Sequence, residues 1–363
     1  TPGTAIRLHP GMHASAQYVT GLTGTAEAPI WIGGIPGEPL PVLQGSRVGL
    51  HLTKVRYVIV HDLEVRNATA NGINIDDGGD YDDPDATRFV VLRDLYVHNI
   101  GQGGNQDCIK LSGVDDYRVY GSEIHNCGGM GGSAIDHVGC HHGLITGNYI
   151  HDNGTNAVQA KGASDDIEIR GNRIVHSGSR AINMGGSTSF EFFRPPLDNT
   201  GDNFEARDIR VIANTFVGCV DCLVSHNTFV RPERWLFRIL QETVSGNEFL
   251  FLPVSGGEYS NNIVVFDRSQ LATYVNVGAN TSAETFSFTN NLWYASDNPA
   301  QSSPAQNLPA PEVGGIAGQD PLLVDLAGED FLLQPGSPAI AAGVADPRVV
   351  RDYDSVCYGN PPT

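Results

Sequence analysis

Between residues 107 and 186 the chain repeats one short alternation of apolar and polar positions four times: DCIKLSG, SAIDHVGC, NAVQAKGA and RAINMGGS. Each copy ends in glycine or another small residue. A polar turn follows, and then an N-x-apolar segment such as Asn148-Tyr149-Ile150 or Asn172-Arg173-Ile174. The apolar anchors Ile109, Ile135, Val158 and Ile182 are separated by 26, 23 and 24 residues. A period near that length predicts a solenoid, in which each repeat buries its apolar side only against its neighbours. Side chains alternate along a strand, so the residues after the anchors, Lys110, Asp136, Gln159 and Asn183, share the outward face.

The same pattern extends in both directions. NGINID places Asn74 one step below Lys110, with Asp76 further along the same strand, and WLFRIL adds Arg238. His137 alternates inward, toward the core or behind the face, and His141 and His142 flank it. N-x-apolar corners recur at Asn214, Asn227, Asn247, Asn262 and Asn291. Asparagine there suits left-handed turns and amide ladders. The step from Asn214 to Asn227 is only 13 residues, too short for a coil, and predicts that about ten residues of a standard rung are missing near 216–218.

Two insertions interrupt the repeat. From Ile73 to Ile109 the step is 36 residues, and the excess holds Asp76, Asp77, Asp80, Asp82, Asp83 and Asp85. This is a solvated acidic loop or a Ca²⁺ site, with Asp76, Asp77 and Asp80 as candidate ligands, although the spacing is not that of an EF-hand. Residues 187–207 carry several aromatics, Arg194 and Glu205 without repeat pattern, and loops of that length are usually functional or disordered. We place this loop beside the face. Residues 1–45 form a first coil and cap, 296–363 a loop and closing segment, and the whole chain, 1–363, one domain.

Composition narrows the picture. With 43 glycines, 21 prolines and 17% charged residues the chain is rich in turns and unlike a helical bundle. A net charge of −19 disfavours nucleic acid, yet a local cationic groove can still take an anionic polymer. No apolar run is long enough for a membrane span. The chain opens on Thr1 without a signal-like segment, which suits a processed protein that is secreted or periplasmic. The six cysteines form no obvious framework. Cys219-x-x-Cys222 resembles half a zinc ribbon or a redox pair, and buried thiols between coils are the plainer reading.

Repeated short strands, N-x-[FI] corners and the closing PGSPAI resemble the secreted right-handed parallel β-helix proteins: pectate lyases, the chondroitinase B and alginate lyase family, and mannuronan epimerases. The resemblance covers nearly the whole chain. It implies an all-β fold, a single-stranded right-handed parallel β-helix with an N-terminal cap and long loops walling one face. In the chondroitinase B-like lyases a face lysine is the base with an arginine nearby, and Lys161 in VQAKGASDDIEIRGN is similar to that segment. The position above Lys161 is Gly185; Arg180 stands at the start of that strand instead. The epimerase D-P-H-D motif is lacking, and Ile135-Asp136-His137-Val138 only echoes it.

Three functions fit the face. An eliminase needs a base and a neutralised uronate carboxylate. Lys161 and Lys110 are the base candidates, with Asp136 and Arg180 beside them, and Asn74, Asp107, Gln159, Asn183, Arg194 and Arg238 hold substrate. A glycoside hydrolase needs two carboxyl groups about 5–10 Å apart, for which Asp107, Asp136 and Asp76 qualify. A non-catalytic glycan-binding helix would use the ladder for solubility and contact, with Lys110–Asp136 a cross-coil ion pair. The expected partner is a uronate-containing polysaccharide, the protein is expected to be a monomer, and Ca²⁺ is the one candidate cofactor.

Overall fold

A computed structural model describes residues 1–15, 17–101, 103–178, 180–186, 188–218, 225–233, 235–242, 249–271, 273–305, 307–347, 349, 351–352, 357 and 362. The described structure is all-β, a right-handed parallel β-helix, apart from three single-turn 3₁₀ segments. It divides into two compact units. The first comprises Thr1–Ile169, His176–Ile209 and Glu242–Leu252; the second comprises Arg170–Val175, Arg210–Gln241 and Pro253–Thr363.

In the first unit the repeated segments form one seven-stranded parallel sheet: Gln17–Thr20, Leu50–Thr53, Ile73–Asp76, Ile109–Ser112, Ser133–Val138, Asn156–Lys161 and Arg180–Met184. The anchors pair as the period predicts: Ile73 with Ile109, Ile109 with Ile135, Ile135 with Val158, and Val158 with Ile182. All five are essentially inaccessible to solvent. Stacked β-branched side chains, each covered by the coil above and below, are what hold a solenoid together. The terminal coil is the exception. Its strands Ala5–Leu8, Gly11–Ala14 and Gln17–Thr20 pair on one side only, and Ile6, Met12 and Tyr18 are exposed.

Asparagines organise the corners of the second unit. The Asn172 backbone N–H donates to Asn214 Oδ1, Asn214 N–H to Asn227 Oδ1, Asn227 N–H to Asn262 Oδ1 and Asn262 N–H to Asn291 Oδ1, each at 2.8–2.9 Å. The ladder ends on the Glu312 carboxylate, which accepts the Asn291 N–H at 3.1 Å. The left-handed residue is the one before each asparagine: Gly171, Ala213, His226, Asn261 and Asn290 all have φ between 53° and 60°. The ladder asparagines themselves stay extended, which leaves their amides free to point inward.

The strands flanking the short step at Asn214–Asn227 are described, but the step itself is not, so the expectation of missing residues there falls outside the described residues. Strand Thr215–Val217 pairs in register with Thr228–Val230, Phe216 stacks on Phe229 at 5.0 Å, and the chain runs on from Val217 into Gly218. The rest of that rung, 219–224, lies outside the described residues, as do Cys219, Cys222 and the Asn247 corner. Arg238, on Trp235–Ile239, pairs with Asn276 of Thr273–Val277 in a separate two-stranded sheet, so it is not a rung of the seven-stranded one.

Cysteine chemistry departs from the expectation of stacked free thiols. Cys108 and Cys127 form a disulfide with their Cα atoms 5.4 Å apart. It joins the residue just before the face strand Ile109–Ser112 to the end of Glu123–Cys127. Cys140 is a buried free thiol and Cys357 an exposed one.

A candidate polysaccharide site on the face sheet

The outward row is longer than the sequence pattern suggested. Register runs Tyr18–His51–Asn74–Lys110–Asp136–Gln159–Asn183 across seven strands. Tyr18 lies within residues 1–45, expected to form a first coil and cap, whereas His51 stands in Leu50-His51-Leu52-Thr53, which carries the same alternation as the later rungs. Their rings meet edge to face at 4.8 Å, and Tyr18 is 61% exposed.

At the centre of the row two lysines converge on one carboxylate. Lys110 Nζ donates to Asp136 Oδ2, and Lys161 Nζ lies 3.5 Å from Asp136 Oδ1. Lys161 sits one rung up and two residues along, opposite Val138, so its side chain reaches back across the sheet. Asp107 closes the group, with Oδ2 3.6 Å from Lys110 Nζ and Oδ1 accepting the Ser133 N–H at 2.7 Å. Both carboxylates are sealed: the Asp136 side chain is 1% exposed and that of Asp107 is 3%. The lysines form their lid, partly exposed themselves.

Electrostatics pull the two carboxyls apart. Burial pushes the Asp107 pKa up, the charge of Asp136 adds to it, and the group reaches about 7. Burial works in the same direction on Asp136, but Lys110 and Lys161 outweigh it and hold that carboxyl below its ordinary value. For Lys110, burial works to lower the pKa; Asp136 and Asp107 prevail, and the ammonium stays above its ordinary value. With Asp107 protonated, the Lys110 ammonium faces a single carboxylate, that of Asp136.

Neighbouring side chains hold this group in place. Gln159 Oε1 is 3.2 Å from Asn156 Nδ2, and the Gln159 backbone carbonyl accepts from His137 Nδ1 at 2.8 Å. His137 is fully buried, as its inward register predicts, and burial lowers its pKa to about 4. His141 pairs with Asp115 at 2.7 Å on a strand outside the face sheet. Asn74 accepts from Asn71 and donates to Asp76, while Asn183 lies half-buried at the upper end of the row. Arg180 starts the Asn183 strand opposite Asn156 and points toward Glu242 at 3.9 Å.

The long loop packs against the ends of the face strands. Gly113, Gly139 and Gly162 follow three successive strands, all with positive φ. A Cβ on Gly139 would stand 2.3 Å from Arg194 Cβ, so this close approach requires glycine. Glu205 ties the loop down, accepting the Gly162 N–H at 2.8 Å and the Thr188 hydroxyl at 2.7 Å. Phe193 is fully buried against Ala163 and Phe251, and Phe192 is exposed.

The predicted calcium ligands are not brought together. Asp76 accepts from His51 at 2.6 Å, Thr53 at 2.9 Å and Asn74 at 2.7 Å. Asp77 is buried against Arg194, whose guanidinium also covers the Tyr81 ring at 4.2 Å. Asp80 pairs with Lys54 at 2.6 Å. Three carboxylates committed to three separate cations or donors do not form an oxygen cage, and no step is derived through Ca²⁺. Arg194 is likewise occupied within the protein, as the strut between the two long loops.

With this geometry in hand, comparison with known proteins defines the class. Residues 48–230, half of the chain, match the family described as "Right handed beta helix region", and the chain belongs to it. The chain is similar in fold to pectate lyase Pel9A, at 14% identity with a TM-score of 0.57, covering 97% of this chain and 86% of that one. It is also similar to the GH136 lacto-N-biosidase from Eubacterium ramulus, at 12% identity with a TM-score of 0.51, covering 87% and 62%. No curated protein matches the chain.

Proposed function

We propose that the protein is a carbohydrate-active enzyme of the β-helix class, acting on an acidic polysaccharide by β-elimination at the Lys110–Asp136–Lys161 cluster. The observation that carries this reading is the pair of lysines covering a single sealed carboxylate, on a row otherwise lined by amides, His51 and Tyr18. Lys110, held as an ammonium, neutralises the uronate carboxylate. That acidifies the proton on the adjacent ring carbon. Lys161 is assigned as the general base that removes this proton; the neighbouring carbon–oxygen bond to the chain breaks, a carbon–carbon double bond forms, and the departing oxygen takes up a proton from solvent. Asn74, Gln159 and Asn183 hydrogen-bond sugar hydroxyls, and Arg180 is assigned to a more distant substrate carboxylate. The Cys108–Cys127 disulfide suits an oxidising compartment outside the cytoplasm. Among the described residues no helix is long and apolar enough to cross a membrane.

One observation favours a second reading, glycoside hydrolysis. Asp107 and Asp136 have pKa values displaced in opposite directions, the signature of an acid and base pair. Their burial beneath the lysines argues against direct contact with a glycosidic oxygen. The β-helix fold accommodates both chemistries, as a pectate lyase and a lacto-N-biosidase share it. Incubation with a panel of uronate polymers and neutral glycans separates the readings. Ultraviolet absorbance from an unsaturated uronate is the expected result. New reducing ends without that chromophore would establish hydrolysis, and neither signal on any polymer would leave a binding role.

A further inference from the structure

A second cluster stands on a different sheet of the first unit and takes no part in the chemistry above. Two registered rows run side by side there. One is Arg66–His98–His125–His151, and the other is Glu64–Tyr96–Glu123–Tyr149. The three imidazoles stack nearly parallel, with centroids 5.0 Å apart between His98 and His125 and 4.5 Å between His125 and His151. Three stacked histidines flanked by two glutamates serve no apolar core, and most of them are not fully buried.

The carboxylates of this patch are used unequally. Glu64 is taken by Arg66 at 2.6 Å and by His98 at 3.2 Å. Glu123, 46% exposed, faces His151 Nε2 at a long 3.4 Å. His151 Nδ1 lies 2.8 Å from Asp152 Oδ2, which places the ring proton on Nδ1. Nε2 then turns a lone pair toward the Glu123 oxygen. A cation between them resolves that opposition. His125 belongs to the same group, for one ligating atom each of Glu123, His125 and His151 all lie within 4.8 Å of one another. A proton would join two of these atoms, whereas a metal ion joins all three.

We infer that Glu123, His125 and His151 form a divalent metal site that staples two adjacent coils, with Asp152 orienting His151. Two imidazoles and one carboxylate suit zinc, or nickel and copper, rather than the oxygen-seeking Ca²⁺. Metal–ligand bonds of about 2.0–2.1 Å require donor atoms about 3.3 Å apart in a tetrahedron, so the cluster must contract. The half-exposed Glu123 side chain supplies that movement, and water fills the remaining position. His125 Nδ1 lies 2.9 Å from Asn126 Nδ2, and His125 Nε2 lies 3.1 Å from the Tyr96 hydroxyl; metal binding through Nε2 requires the Asn126 amide to turn its oxygen toward Nδ1 and the Tyr96 hydroxyl to give way. The Asp152–His151 pair is the carboxylate–histidine arrangement that raises ligand basicity and fixes the ring.

The test is calorimetric titration of the full chain with zinc chloride, alongside thermal melting with and without zinc. One zinc per chain and a higher melting temperature are expected, with Ca²⁺ failing to compete. His125→Gln with His151→Gln abolishes both effects, and Asp152→Asn weakens zinc binding by about 10–100-fold. Should the double variant fail to fold, Glu123→Gln and the visible spectrum of the cobalt-loaded wild type serve instead, with tetrahedral imidazole-ligated bands expected. Unchanged zinc stoichiometry in a folded double variant, no saturable zinc binding by the wild type, or a cobalt spectrum of the aquo ion would each overturn the inference.

Discussion

The same repeating geometry produces two polar ladders, and they are opposites in chemistry. The corner ladder of the second unit, Asn172–Asn214–Asn227–Asn262–Asn291, is built of satisfied amides: each backbone N–H donates to the next asparagine's side-chain oxygen, and the last donates to Glu312. The face row of the first unit buries Asp107 and Asp136 under two lysines, and Asp136 Oδ1 has only a 3.5 Å ion-pair contact and no hydrogen bond. Neutral amides that complete one another's hydrogen bonds stabilise a stack without directing it at anything. Buried charges that stay incompletely paired are costly, and a fold retains them where they serve a ligand or a reaction. The contrast supports the proposal that the corner ladder is structural and that the face row holds the site.

The most damaging change for stability targets the charged row. Lys110→Met strips Asp136 of its hydrogen-bonded partner and leaves it only Lys161 at 3.5 Å, and breaking a buried pair costs about 3–5 kcal/mol; chemical denaturation measures it. A loss no larger than that of an exposed lysine would erase the contrast between the ladders. Asn227→Ala comes next. It leaves the buried Asn214 N–H without an acceptor and costs about 1–3 kcal/mol, while turnover per folded molecule is unchanged. A fall in turnover would mean that the corner ladder also shapes the site.

The smallest effect is a pH slope. Asp107 holds its proton to about pH 7 in the folded protein, whereas an ordinary carboxyl releases it near 3.9. The folded state therefore binds the proton more tightly. The associated stabilisation is complete below about pH 4 and is lost as pH rises through 7. Asp107→Asn flattens that decline in melting temperature. Asp136 acts in reverse: its stabilisation is present above the ordinary carboxyl pKa and disappears as pH falls through its lowered value. A wild-type and Asp107→Asn pair with identical pH profiles would show that Asp107 titrates normally.

Much of the fold was legible because a solenoid repeats its rules. Five anchors from Ile73 to Ile182 pair one to one as spacing alone demanded, and with them the row of Asn74, Lys110, Asp136, Gln159 and Asn183. The same rule was legible further down, since Gln17–Thr20 runs into Gly21 and Leu50–Thr53 alternates apolar and polar, but Tyr18 falls in a segment expected to be a cap and His51 escaped notice. Periodicity is silent on side-chain reach. Lys161 and Lys110 belong to strands two rungs apart, and only long flexible stems let them meet on Asp136. Pairings between loops were equally hidden: Arg194 and Asp77, each a candidate for a ligand, satisfy one another across 117 residues. The Cys108–Cys127 disulfide was missed because a separation of 19 residues says nothing about which corners the two cysteines occupy.

The most direct measurement is the rate of unsaturated-uronate formation by Lys161→Ala and Asn227→Ala, compared per folded molecule on the polymer that the wild type cleaves. Removal of the general base predicts a loss of about 10²–10⁴-fold for Lys161→Ala and no loss for Asn227→Ala. Wild-type turnover by Lys161→Ala would contradict the assignment of the face row as the catalytic ladder.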